Sequence, residues 1–211
     1  MNLDEKIISA LKDLDYKEAT EIQKKAIPIA LKKRDILAAA QSGTGKTAAF
    51  LLPILTELIA NKQPNKPVLR TLILVPTREL ASQISKAAED LGKYLDVQKL
   101  AVFGGVSTKE QEKKIAKGLD ILVATSGRLM EHLKNGTVDL SSVTTVVIDE
   151  VDTMLDMGFL EDIEKILPSV GPKRQIMMFS ATMNQNVKKL AKEFLTDPVV
   201  IEVAQQRSAV K

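Results

Sequence analysis

The sequence predicts an α/β fold, a mostly parallel sheet with helices on both faces. Short β-rich runs alternate with longer segments whose apolar residues recur every three or four positions, the signature of strand and helix taken in turn. Runs such as TLILV and TVVI are apolar on consecutive residues, as in strands covered from both sides rather than one. The stretch ILAAAQSGTGKT adds a strand, a glycine-bearing turn and the start of a helix, a unit typical of such sheets.

In chain order, the first strand is expected over Ile36 to Ala40, and the helix after the glycine turn begins near Lys46. The segment KQPNKP carries two prolines without a change of composition on either side, so it is expected to be a surface loop. A second strand, Thr71 to Val75, ends at Pro76, and Thr77 can cap the helix Arg78 to Leu91. A third strand, Lys99 to Phe103, precedes the turn-forming pair Gly104 and Gly105. Ser107 with Glu110 reads as a capping box ahead of KEQEKKIAKG, whose charges mark a solvated face. Further strands are expected at Ile121 to Ala124, Thr145 to Ile148, Gln175 to Phe179 and Val199 to Val203. Between the last two, Asn184 can cap a helix over Val187 to Leu195. The polar tail AQQRSAVK has the composition of a connector, so residues 205–211 are expected to begin a linker and residues 1–204 to form one domain.

Composition narrows the chemistry. With 211 residues, 45% of them hydrophobic, the chain can fill one core. The absence of cysteine excludes disulfides and thiolate metal sites, and a lone histidine cannot build a histidine-rich zinc site. That residue, His132, lies in the helix-like run RLMEHLKNG and is expected to be half-exposed. A net charge of +3 does not argue for nucleic acid by itself, and with aromatics at 3% any such binding must lean on phosphates rather than stacked bases. The amino terminus is charged through every turn, and the most apolar stretch, Ala48 to Ala60, is interrupted by Pro53, Thr56 and Glu57. No secretory signal or membrane span is expected, and the chain reads as cytoplasmic and monomeric.

Two clusters carry chemistry. Ser42, Gly43, Thr44 and Gly45 form a turn whose backbone N–H groups can converge on phosphate oxygens. Lys46 can reach the β and γ phosphates and Thr47 can hold Mg²⁺, while Ala40 replaces the first glycine of the general pattern. The second cluster is VVIDEVD, where a buried strand runs into Asp149 and Glu150, with Asp152 close behind. Like charges so close resist burial unless something positive neutralises them. Two acids at a strand end can be a simple helix cap, but the carboxyl edge of an open α/β sheet is where ligands bind. Beside a phosphate loop, Asp149 can hold the metal through water, and Glu150 can position and deprotonate the water attacking the γ-phosphate.

With these motifs in view, the sequence resembles the DEAD-box ATP-dependent RNA helicases, in particular the amino-terminal RecA-like half of a bacterial RhlE-like member. The motifs occur in the family's order: ATEIQ around Gln23, AQSGTGKT, PTREL from Pro76, Gly104 with Gly105, TSGR from Thr125, DEVD from Asp149 and SAT from Ser180. The resemblance implies a RecA-like P-loop domain whose first 35 residues are adenine-recognition helices, with Gln23 pairing the adenine edge and ATP as the nucleotide. It implies that Pro76, Thr77, Arg78, Gly104, Gly105, Thr125, Gly127 and Arg128 hold the sugar-phosphate backbone of an RNA strand. It also implies that Ser180 and Thr182, just after a strand, hydrogen-bond Asp152 and couple nucleotide state to RNA state. Each has a blander reading; for Gln23 it is an exposed helix residue.

The sequence departs from the family at several points. Val151 stands for alanine in the tetrad, and Ser126 replaces the proline of the TPGR motif, removing a fixed φ. Ala19 and Asp15 stand for proline and glycine, and aspartate tolerates a left-handed backbone better than most residues. The aromatic that stacks on adenine would precede Met1. No H-R-x-G-R-x-x-R run, the source of arginine fingers in a second RecA-like domain, occurs in these residues. The expected activity is ATP-dependent, sequence-independent RNA binding and local duplex unwinding, with the missing domain needed for full rate. An ATP-gated RNA clamp, or an ATPase acting on something else, would share many of these motifs.

Overall fold

A computed structural model describes residues 3–62 and 67–203. The core of KQPNKP and the AQQRSAVK tail lie outside these residues. Among the described residues seven strands form one sheet: β1 (Ile36–Ala39), β2 (Thr71–Val75), β3 (Lys99–Val102), β4 (Ile121–Thr125), β5 (Thr145–Ile148), β6 (Gln175–Ser180) and β7 (Val199–Glu202). They stand in the order β3-β4-β2-β5-β6-β1-β7, and every adjacent pair is parallel. All strand carboxyl ends therefore lie along one edge.

The consecutive apolar runs do what double coverage requires. Along β2, Ile73 and Val75 enter one core while Leu72 and Leu74 enter the other, and β5 and β6 split in the same way. The first core is closed by α1 (Glu5–Asp13), α2 (Glu21–Leu31), α3 (Lys46–Ala60) and α4 (Arg78–Leu91). The second is closed by α6 (Ser126–Lys134), α7 (Val151–Asp156), α8 (Leu160–Ile166) and α9 (Gln185–Phe194). Each large aliphatic side chain removed from water contributes about 1.5–3 kcal/mol, which two filled layers supply many times over. Phe50 of α3 meets Phe179 of β6 with ring centroids 5.4 Å apart, fixing the phosphate-loop helix on the sheet. No helix among the described residues is long and apolar enough to cross a membrane.

Local chemistry sets the helix starts. Thr77 Oγ1 accepts from Leu80 N at 3.2 Å and begins α4, while Asn184 Oδ1 accepts from Val187 N at 2.9 Å and begins α9. Asp15 takes the left-handed turn in place of glycine, with φ of 57°.

Three expectations need correction. Ser107 is the N-cap of α5 (Thr108–Ile115), but its side chain makes no cap hydrogen bond. The capping box does not form, and the loop entering α5 is tied down instead by the Arg128 guanidinium on the Val106 carbonyl. His132 is fully buried rather than half-exposed, because its ring turns inward to meet Gln111 of α5. Ser180 is the last residue of β6, not a residue beyond it, since its carbonyl still accepts from Ala40 N across the sheet. In the TSGR segment Ser126 opens α6, and its hydroxyl donates to Asp162 Oδ2 of α8 at 2.7 Å. That bond fixes the turn where proline would otherwise restrict φ.

Candidate nucleotide site and the adjoining sheet edge

β1 delivers its chain into a turn that only glycine adopts comfortably. Gly43 and Gly45 have φ of 82° and 92°, the left-handed region. At Gly45 crowding forbids a side chain as well, because a Cβ would sit 2.5 Å from Gln23 Nε2 and 2.9 Å from Thr20 Oγ1. Thr44 Oγ1 donates to the Gln41 carbonyl at 2.7 Å and tightens the turn, while Ser42 stays exposed. α3 then starts at Lys46, with Thr47 in its first turn, so the helix amino terminus points at the loop.

β5 brings the acids to the same place, one strand removed from β1 across β6. Lys46 Nζ lies 3.4 Å from Asp149 Oδ1, with both side chains almost wholly buried. The ammonium has no hydrogen-bond acceptor of its own, an expensive state for a buried cation. Burial pushes the Asp149 carboxyl above its usual range, and the charge of Lys46 and the Glu150 N–H draw it only part of the way back. That N–H donates to Asp149 Oδ1 at 2.9 Å. Glu150 itself is held at φ of 52°, left-handed without being glycine, and Ser42 Oγ approaches its carboxylate at 3.5 Å. Strain of this kind persists where the surroundings over-determine it. An under-coordinated ammonium, a glycine cradle and a helix amino terminus suit a bound polyphosphate anion, and the Asp149 carboxylate and Thr47 hydroxyl suit a hard divalent cation.

Gln23 is buried, which rules out the exposed-residue reading. Its Oε1 accepts from Thr20 N at 3.0 Å and its Nε2 donates to the Gly45 carbonyl at 3.1 Å. Asp152 in α7 accepts from Thr182 N at 2.9 Å. Burial alone would raise its carboxyl, but polar groups of Ser180 and Thr182 facing it hold it below the ordinary range. The Thr182 contact runs through the backbone, and Ser180 Oγ, although buried, completes no hydrogen bond.

The other half of the edge is formed by the ends of β2, β4 and β3. Pro76 and Thr77 follow β2, Gly104 and Gly105 follow β3, and Thr125 ends β4 with Gly127 just beyond. The backbone at Gly104 and Gly127 faces open space, and Gly105 has φ of 83° with Arg78 Nη1 beside it. Arg78 is exposed and paired with Glu79 at 2.7 Å. Arg128 is different: its side chain is 10% exposed and bonds the Val106 carbonyl, Gln111 Oε1 and Glu131. Sequence reasoning gave Gln111 no role. A glutamine amid lysines and glutamates carries no signal of burial.

A glycine turn that sets a lysine against a carboxylate pair, on a seven-strand parallel sheet, defines a RecA-like P-loop domain. The chain belongs to the DEAD/DEAH box helicase family, whose model matches residues 20–190. It is 43% identical over 204 residues to the DEAD-box ATP-dependent RNA helicase RhpA of Helicobacter pylori, covering 97% of this chain and 40% of that protein. Among solved structures, a DEAD box protein from Methanococcus jannaschii superposes with a TM-score of 0.90 at 35% identity, covering 97% of this chain and 55% of that one. A hypothetical ATP-dependent RNA helicase from Sulfolobus tokodaii gives 0.86 at 39% identity, covering 96% and 57%. The chain thus spans two fifths of the curated relative and little more than half of each solved one.

Proposed function

We propose that this chain is the first RecA-like domain of a cytoplasmic ATP-dependent RNA helicase, residues 1–204 forming the domain and 205–211 leading towards a second. The reading rests on one observation, the buried Lys46–Asp149 pair at the strand edge that also carries the Gly104–Gly105 and Thr125–Arg128 segments. Ser42, Gly43, Thr44, Gly45 and Lys46 bind the phosphates of ATP, and Gln23 reads the adenine edge while its bond to Gly45 ties that edge to the phosphate loop. Thr47 and Asp149 hold magnesium, largely through water, and the ion supplies charge neutralisation at the phosphates. Glu150 orients and deprotonates the attacking water, its backbone fixed by the N–H bond to Asp149.

Pro76, Thr77, Arg78, Gly104, Gly105, Thr125, Gly127 and Arg128 grip one RNA strand by its backbone, which makes binding indifferent to base sequence. Asp152, with Ser180 and Thr182, joins the two halves of the edge. A second RecA-like domain closing on this edge would complete the RNA groove and supply arginine fingers. The relatives carry the name helicase, which favours unwinding over a static clamp. The test is ATP turnover by the full-length protein with and without RNA. Turnover should rise with RNA and be abolished by Glu150→Gln; RNA-independent turnover, or an active Glu150→Gln protein, sinks the assignment.

A further inference from the structure

Among the described residues α5 is the most highly charged helix, and a single one of its residues, Gln111, is buried. A buried carboxamide must satisfy both ends of its amide. Gln111 does so by joining three separate segments. Its Nε2 donates to the Phe103 carbonyl at 3.1 Å, and its Oε1 accepts from Arg128 Nη1 at 3.0 Å and meets His132 Nε2 at 2.9 Å. Arg128 Nη1 donates in turn to the Val106 carbonyl at 2.8 Å, and its Nε pairs with Glu131 at 2.9 Å. The loop carrying Gly104 and Gly105 is therefore pinned at both ends, at Phe103 by Gln111 and at Val106 by Arg128.

The chemistry fixes the arrangement uniquely. A guanidinium has no acceptor, so the amide oxygen of Gln111 must face Arg128, and the amide nitrogen is thereby turned to the Phe103 carbonyl. The same oxygen can only accept from His132, so the neutral ring carries its proton on Nε2. One glutamine thus sets an arginine rotamer, a histidine tautomer and the position of a glycine loop.

We infer that Gln111 is a positioning residue for the RNA-backbone face: it orients Arg128 and holds the Gly104–Gly105 loop in register with the Thr125–Arg128 turn. The inference rests on the RNA-binding reading above and adds to it a residue that touches no RNA. It also assigns Arg128 a loop-fastening role in addition to any phosphate contact.

The test compares the full-length protein with its Gln111→Leu, Gln111→Glu and Arg128→Ala variants and the Gln111→Leu/Arg128→Ala double variant. Two affinities are measured by fluorescence anisotropy, for a labelled single-stranded oligouridine and for a labelled ADP. Gln111→Leu should weaken RNA binding on the order of tenfold, the usual size for a group that orients a binding residue. Its ADP affinity should stay within about twofold, since the phosphate loop lies on the other half of the edge. Gln111→Glu, which keeps the acceptor for Arg128 but cannot donate to Phe103 when ionised, should lose less, and it serves if the leucine variant does not fold. The double variant should lose less than the sum of the two single losses, because Gln111 acts in part through that arginine. Wild-type RNA affinity in Gln111→Leu, or equal loss of RNA and ADP binding, or additive losses in the double variant, overturns the inference and leaves the RNA reading standing. A wild-type full-length protein that binds ADP but no oligouridine overturns both.

Discussion

Lys46, its side chain 6% exposed, sits beside a carboxylate whose own burial raises its pKa, so each charge pays for the other only in part. Binding an anion would complete the coordination that the ammonium lacks. Lys46→Ala should therefore lower affinity for a fluorescent ATP analogue about 10- to 100-fold, the equivalent of ~1.5–3 kcal/mol for a hydrogen bond to a charged group. Asp149 adds a pH signature. Its folded pKa is raised, so the protonated form, which cannot hold a metal, persists above the range where an ordinary carboxylate titrates. Metal-dependent nucleotide affinity should fall on acidification at a higher pH than a normal aspartate predicts, readable by titration across that range. His132 has the opposite sign: burial first, then the charge of Arg128, lowers its pKa from 6.5, so the folded chain resists protonating a ring that the unfolded chain protonates freely. The stability this contributes is present above pH 6.5 and is lost as the pH falls towards the folded value. Thermal melts should drop between neutral and mildly acid pH, and His132→Gln should flatten that drop.

α6 shows how one element can reach a family geometry by another route. Where proline would lock the first turn, Ser126 is buried and hydrogen-bonded to Asp162 of α8. Ser126→Pro exchanges a bond worth about 1 kcal/mol for a backbone restraint of about 0.4–1 kcal/mol, at a helix position where proline is tolerated. The melting midpoint should move little; a drop matching several kcal/mol would show that Asp162 cannot spare its donor. The elements themselves were largely legible. α4 begins at Arg78 and ends at Leu91 as the sequence suggests, because Thr77 caps it and the three-and-four spacing is regular. The β5 bounds are those of the TVVI run. What escaped was polar burial. Gln111 and His132 stand 21 positions apart, one on a helix read as a solvated face and the other expected to be half-exposed, and only their meeting across the fold explains why either is inside. Gln23 escaped in part for the same reason: its partner Gly45 lies 22 positions away.

At the scale of the molecule, the carboxyl edge was foreseeable from alternation and motif position, whereas strand order was not, since no local pattern says that β1 lies between β6 and β7. The edge is also the face on which a second domain would act. This chain alone should bind ATP yet turn it over at least ~10³-fold more slowly than the full-length protein with RNA, the scale of a missing arginine finger. A phosphate-release assay on both checks this. The strand order has a further consequence for biosynthesis. The flanks of β1 are filled by β6 and β7, which begin at Gln175 and Val199. A nascent chain still on the ribosome with fewer than about 174 residues extruded carries the lysine turn on a strand with no neighbour to pair with. Nucleotide in the cell therefore cannot help the early chain to fold, and its contribution begins only once the segment from Gln175 onward has emerged.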